Sequence, residues 1–123
     1  MNEHTILYRQ IHPSFVQDGY PTSQAFRPTP KDQCQLSVYD GDMITAEAAW
    51  DHYTRELQLS SWGVMGISVG ECQTESIAVR PDPGYFAEHA LVDFSGLTEK
   101  ECRSKSKTLQ SKARARGWLF RSA

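Results

Sequence analysis

Hydrophobic and polar positions fall into short stretches with a clear period. TILYRQI (5–11) alternates, with Ile6, Tyr8 and Gln10 facing one way and Leu7, Arg9 and Ile11 the other, which predicts a strand. His12-Pro13 ends it, because proline has no N–H for a ladder and moves its predecessor out of helical geometry. QLSVYD (35–40) predicts a second strand, closed by the turn pair Asp40-Gly41. Thr45 is placed to cap a helix over 46–57, with Ala46, Trp50, Tyr53 and Leu57 on one face. WGVMGISV (62–69) and SIAV (76–79) predict two strands with GECQTE as the turn between them, and Arg80-Pro81-Asp82-Pro83-Gly84 reads as loop. HALVDF (89–94) alternates again.

The last element has the fullest signature. Thr98 can cap a helix over 99–116 while Glu101 reaches back to it. Cys102, Ser106, Leu109 and Ala113 share its inner face, and Gly117 stands where a left-handed residue stops a helix. WLF (118–120) predicts a final strand or a packed tail.

This order predicts an α+β fold in one domain, 1–123: a mainly antiparallel sheet of five to six strands, with a curled sheet as the variant. Two helices, 46–57 and 99–116, are expected on one side of it. Between the first two strands runs a long loop, 12–34, with prolines at 13, 21, 28 and 30. Loops of this length in compact domains are usually functional, disordered, or a sign of a missed element. Phe15, Val16, Tyr20 and Phe26 supply anchors, and the prolines lower the cost of ordering the segment. It is therefore expected to be ordered, as a roof over a cleft or as a guard on an edge strand.

Composition narrows the class. With 39% apolar and 23% charged residues the chain has the make-up of a globular protein, and no apolar run reaches membrane-helix length. The start, MNEHTILYR, lacks the basic-then-apolar pattern of a secretory signal. Three cysteines, none in a CxxC pair, suit free thiols in a reducing cytosol. Net charge hides a split: residues 1–98 hold five Lys/Arg against thirteen Asp/Glu, and residues 99–123 hold eight against two. Such a split points to a polyanion partner or to a match between the two halves.

Candidate chemistry begins at Arg9, whose alternation groups it with Leu7 and Ile11. A guanidinium there must find a partner, such as Asp93, or line a cavity. His12 and His89 fall at predicted strand ends, where paired imidazoles can serve as general base and acid in phosphodiester cleavage, with an arginine stabilising developing charge. Ser23, Ser37 or Tyr39 could hold a phosphate or orient a base. Arg9, Thr22-Ser23 and Glu88 also occur in an order that loosely resembles ADP-ribosyltransferase-like folds, which would imply a grip on a nicotinamide dinucleotide. No metal-ligand spacing, phosphate loop or dinucleotide glycine pattern occurs, so neither metal nor cofactor is expected.

On the last helix, Lys100, Arg103, Lys107 and Arg114 share the face opposite the apolar one, with Lys105, Lys112 and Arg116 flanking the core side. The first expectation is thus a cytosolic binding module that holds nucleic acid or an acidic protein on this stripe. The alternative is a small RNA- or nucleotide-directed enzyme with Arg9, His12, Ser23 and His89 around a cleft roofed by the long loop. A regulatory partner, dimerising through an exposed strand, is the third.

Overall fold

The computed structural model describes residues 1–122. Its centre is a six-stranded antiparallel sheet. The strands in chain order are β1 (Ile6–Ile11), β4 (Gln35–Asp40), β5 (Gly63–Ser68), β6 (Ala78–Pro81), β7 (His89–Asp93) and β8 (Phe120–Arg121), arranged in space as β6-β7-β4-β1-β5-β8. A separate hairpin, β2 (Val16–Gln17) with β3 (Tyr20–Pro21), lies within the long loop. The sheet does not close into a barrel, since β6 and β8 are its free edges.

Alternation along β1 decides which face is covered by what. Leu7 and Ile11 join Leu36, Val38, Met65, Ile67, Ala90 and Val92 in the main core. Over that face lies α3 (Glu99–Arg116), inserting Cys102, Leu109 and Ala113. Thr98 and Glu101 form the expected capping box, and Gly117 follows with φ +87°, a left-handed value glycine adopts without a Cβ penalty.

The opposite face carries α1 (Ala46–Asp51), capped by Thr45. At His52 this helix widens into a turn whose Leu57 N–H reaches back to the His52 carbonyl. Trp50 packs on Phe120 at 5.3 Å, and the ring of Tyr39 meets that of His52 at 5.6 Å. Phe120 pairs with Val64, and Tyr39 with Tyr8, all on the side away from Leu7. The helices therefore sit on both faces, not on one as the element count suggested.

Two further local expectations are corrected. GECQTE is not a turn: Val69–Thr74 form a short helix, α2, because Ser68 and Glu71 make a second capping box. Arg80-Pro81 is not loop but the end of β6. This is an edge strand, where proline's missing N–H leaves no ladder bond unmade.

The long loop is ordered by burial. Phe26 and Ala25 are inside the main core, within a single helical turn, Ser23–Phe26. Asp18 and Gly19 both have positive φ, the geometry that closes a tight hairpin. That hairpin is tied to α3 and to the chain beyond it, by Gln110 Nε2 donating to the Pro21 carbonyl and Trp118 Nε1 to the Gly19 carbonyl.

Candidate functional site

The ladder between β1 and β4 stops early. Leu7 pairs with Asp40 and Tyr8 with Tyr39, and no further rung follows. A continued register would set Gln10 opposite Ser37 and give the Ser37 carbonyl a backbone N–H. Instead the Arg9 side chain enters the seam: Nη1 donates to the Ser37 carbonyl at 2.9 Å and Nε to the Ala25 carbonyl at 2.9 Å. Arg9 has no carboxylate partner among the described residues, and Asp93, the partner suggested by sequence, pairs with Arg80 at 2.8 Å. Burial lowers the Arg9 pKa from its ordinary value, against the opposing influence of Tyr53 and Asp32. A guanidinium has five N–H donors, so this one retains donors beyond the two carbonyls.

Arg9 lines a hollow on each face. Toward α3 a cavity of 740 Å³ opens beneath the long loop, with Phe15, Arg27, Asp32, Cys34 and Glu99 on its walls. Toward α1 a smaller pocket of 150 Å³ is bounded by Ser37, Tyr39, Tyr53, Leu57, Tyr85 and His89.

The smaller pocket holds an ordered chain of hydrogen-bonding groups. Ser37 and His89 lie on neighbouring strands, on one face and diagonally related, because Tyr39 is the direct partner of His89. His89 Nε2 is 3.0 Å from Ser37 Oγ, and His89 Nδ1 is 2.9 Å from Asp82 Oδ2. Asp82 is set there by its own backbone, whose N–H donates to the His89 carbonyl at 2.8 Å. A carboxylate beside Nδ1 fixes the proton on that nitrogen, which leaves Nε2 as a lone pair accepting from the serine hydroxyl. Ser37 is exposed while His89 is only 5% exposed. The imidazole is enclosed by Tyr85 at 5.2 Å and Phe86 at 4.9 Å.

A second chain ends two residues along β4. The Tyr39 hydroxyl lies 2.7 Å from His52 Nδ1, and His52 Nε2 lies 3.4 Å from Glu56. Burial raises the Tyr39 pKa well above its ordinary value. The Phe86 ring packs against both imidazoles, at 4.6 Å from His52. Gln10 also lines the pocket, and behind it Ser61 Oγ lies 2.7 Å from Gln10 Oε1 and 3.0 Å from the Gly63 carbonyl. A hydroxyl has one proton to donate. When it goes to Gln10 Oε1, the buried Gln10 Nε2 is left with no hydrogen-bond partner among the described residues.

Of the four residues grouped by sequence, Arg9 and His89 meet through Ser37, while His12 and Ser23 stand apart. His12 follows the end of β1 and caps the turn Pro13–Phe15, accepting from Ser14 N–H at 3.0 Å. His89 is level with Tyr8, four residues back along β1, so about 13 Å of strand separates the levels of the two imidazoles. Ser23 opens a turn on the α3 face. Thr22 shares that face, whereas Glu88 precedes β7, and no hydrogen bond among the described residues joins either side chain to Arg9.

On α3 the cations divide into two sets. Arg116 pairs with Glu71 at 3.1 Å and Lys105 donates to the Glu75 carbonyl, while Lys112 is exposed and makes no ion pair among the described residues. Lys100, Arg103 and Lys107 are exposed and make no ion pair among the described residues. Arg114 lies over the Tyr20 ring at 4.3 Å.

Sequence reasoning missed Asp82, Tyr53, Tyr85 and Phe86. The signal for Asp82 was present: it stands between two prolines, seven residues before His89, where two successive strands must turn back on each other. No helix of the described residues is long and apolar enough to cross a membrane, and these residues contain no cluster of three or more potential metal ligands. Comparison with known proteins finds no matching family model, no matching curated protein and no matching solved structure.

Proposed function

We propose that the protein is a small hydrolase that cleaves a carboxylic ester bearing an acidic group, with Ser37 as nucleophile. The observation that carries this reading is the unbroken Asp82–His89–Ser37 chain at 2.9 and 3.0 Å, with the serine open to a pocket. Ser37 Oγ adds to the ester carbonyl carbon as its proton passes to His89 Nε2. Asp82 holds the ring in the required tautomer and stabilises the imidazolium that forms. The carbon–oxygen bond to the alcohol breaks as Nε2 returns the proton to it, leaving an acyl-serine. Water then adds by the same route, and the acid departs.

Arg9 suits the substrate's acidic group. Its guanidinium is anchored on the carbonyl of the nucleophile's own residue, so its remaining donors stand beside the reacting centre without a competing carboxylate. Leu57, Leu59 and Phe86 offer an apolar wall to a short acyl chain. This reading differs from the RNA- or nucleotide-directed enzyme expected from the sequence in reaction and substrate as well as residues: Arg9 and His89 are kept, Ser37 becomes the nucleophile, Asp82 is added, and His12 and Ser23 are set aside.

The test is hydrolysis of a panel of p-nitrophenyl esters, neutral and acidic, by wild type, Ser37→Ala, His89→Gln and Arg9→Lys. Loss of Ser37 or His89 is expected to lower kcat by about 10³-fold or more. Arg9→Lys should raise KM for the acidic esters alone. Turnover by Ser37→Ala equal to wild type would refute the assignment.

A further inference from the structure

We propose that the outer face of α3, together with the tip of the β2–β3 hairpin, is a track for single-stranded nucleic acid. This surface lies across the sheet from Ser37 and does not depend on the chemistry there. Lys100, Arg103 and Lys107 project from one side of the helix, fall within about 60° of one another, and span about 10 Å of its axis. On the core side Arg116 pairs with Glu71 and Lys105 donates to the Glu75 carbonyl, but these three meet no carboxylate among the described residues. The acidic half of the chain thus leaves the stripe open along one line.

What distinguishes this surface from a merely solvated basic face is the group at its end. The helix has no aromatic residue of its own. The fold supplies one: the Asp18-Gly19 turn carries Tyr20 to the helix, where the Arg114 guanidinium lies over its ring at 4.3 Å. Tyr20 is nevertheless 40% exposed, among the most exposed large apolar side chains of the molecule. An exposed tyrosine in contact with a guanidinium is a platform on which any base can stack. Arg114 lies on the line of the three cations, two turns beyond Lys107. A flexible strand can therefore stack a base at Tyr20 while its phosphates run toward Lys100. An acidic peptide would satisfy the charges but has nothing to place on the platform, and a duplex keeps its bases stacked within itself.

The experiment is fluorescence anisotropy of the full chain with fluorescein-labelled 12-mers: oligo(U), oligo(dT), a mixed-sequence DNA duplex and oligo-glutamate. Saturable binding of one or both single strands is expected, and weaker binding of the duplex and of oligo-glutamate. The slope of log K against log salt should be about −2 to −3, as three or four neutralised phosphates require. Lys100→Gln/Arg103→Gln/Lys107→Gln should reduce that slope to near −1. Tyr20→Ala should weaken binding about tenfold with the slope unchanged, since one lost stack is worth about that much. Circular dichroism and an unchanged urea midpoint confirm that the hairpin variant remains folded, and Tyr20→Phe should restore affinity. Absence of binding, equal binding of duplex or oligo-glutamate, or full affinity in folded Tyr20→Ala would overturn the proposal.

Discussion

Ser37 and His89 lie on adjacent strands, and the imidazole Nε2 of one is 3.0 Å from the hydroxyl of the other. The contact is a diagonal pair across a regular antiparallel ladder, so it is held by backbone register as well as by side-chain packing. Arg9 binds the same serine from the opposite edge, through the carbonyl. Two strands, β1 and β7, thus converge on one residue of β4.

Asp82 acts only through His89, so its replacement should separate catalysis from folding. Its side chain is 43% exposed and its placement comes from its backbone bond to His89. Asp82→Asn is expected to lower kcat for ester hydrolysis by about 10²- to 10⁴-fold, with KM and the unfolding midpoint nearly unchanged. Steady-state kinetics beside a urea melt checks both halves.

Arg9 should matter to stability as well. Arg9→Met leaves the Ala25 and Ser37 carbonyls without their donor, in a seam where no rung replaces it. The Ala25 bond is part-buried and the Ser37 bond is open to solvent, so a loss of about 1–3 kcal/mol is expected in urea denaturation. A variant as stable as wild type would mean that the guanidinium serves a ligand and contributes nothing to the fold.

Phe26 tests whether the proline-rich loop is core or cover. Its ring is fully buried in the main cluster. Phe26→Ala should cost about 3–5 kcal/mol, the range for a large aromatic removed from a core. Limited proteolysis should then cut first within residues 12–34. A loss below about 1 kcal/mol would show that the loop rests on the sheet without being part of its core.

Acid sensitivity should have an identifiable source. The Ser95 N–H, followed by the Arg80 guanidinium, holds the Asp93 carboxyl down at about 2. Because the folded value lies below the unfolded one, the carboxylate stabilises the native state at higher pH. That contribution is lost as pH falls from about 4 toward 2. Asp93→Asn should be less stable than wild type at neutral pH and show a shallower decline over that acid window, measured by urea midpoints at successive pH values.

Period and capping made most of the architecture legible. β1, β4, β7 and α3 follow the alternation or the capping box within a residue or so, because each has one buried face and clear end signals. What escaped was local chemistry masked by a louder signal. Asp18-Gly19 is a strong hairpin marker, but the prolines around it invited a reading as loop, and Tyr20 was counted as an anchor when it is exposed. Ser68 and Glu71 cap a helix of only six residues, too short for a period to show. The site was half legible. Arg9 stood out as a charge among apolar neighbours, and His89 as an imidazole at a strand end. Ser37 and Asp82 could be joined to them only through the register of β4, β7 and β6, which no single stretch of sequence encodes.

The most direct measurement is intact mass after exposure to a fluorophosphonate probe. The Ser37 oxygen would bond to phosphorus as fluoride leaves and the proton passes to His89. One adduct per chain is expected, mapped to Ser37 by peptide sequencing and absent in Ser37→Ala and His89→Gln. A folded wild-type protein that stays unmodified, or that is labelled equally well when Ser37 is alanine, would contradict it.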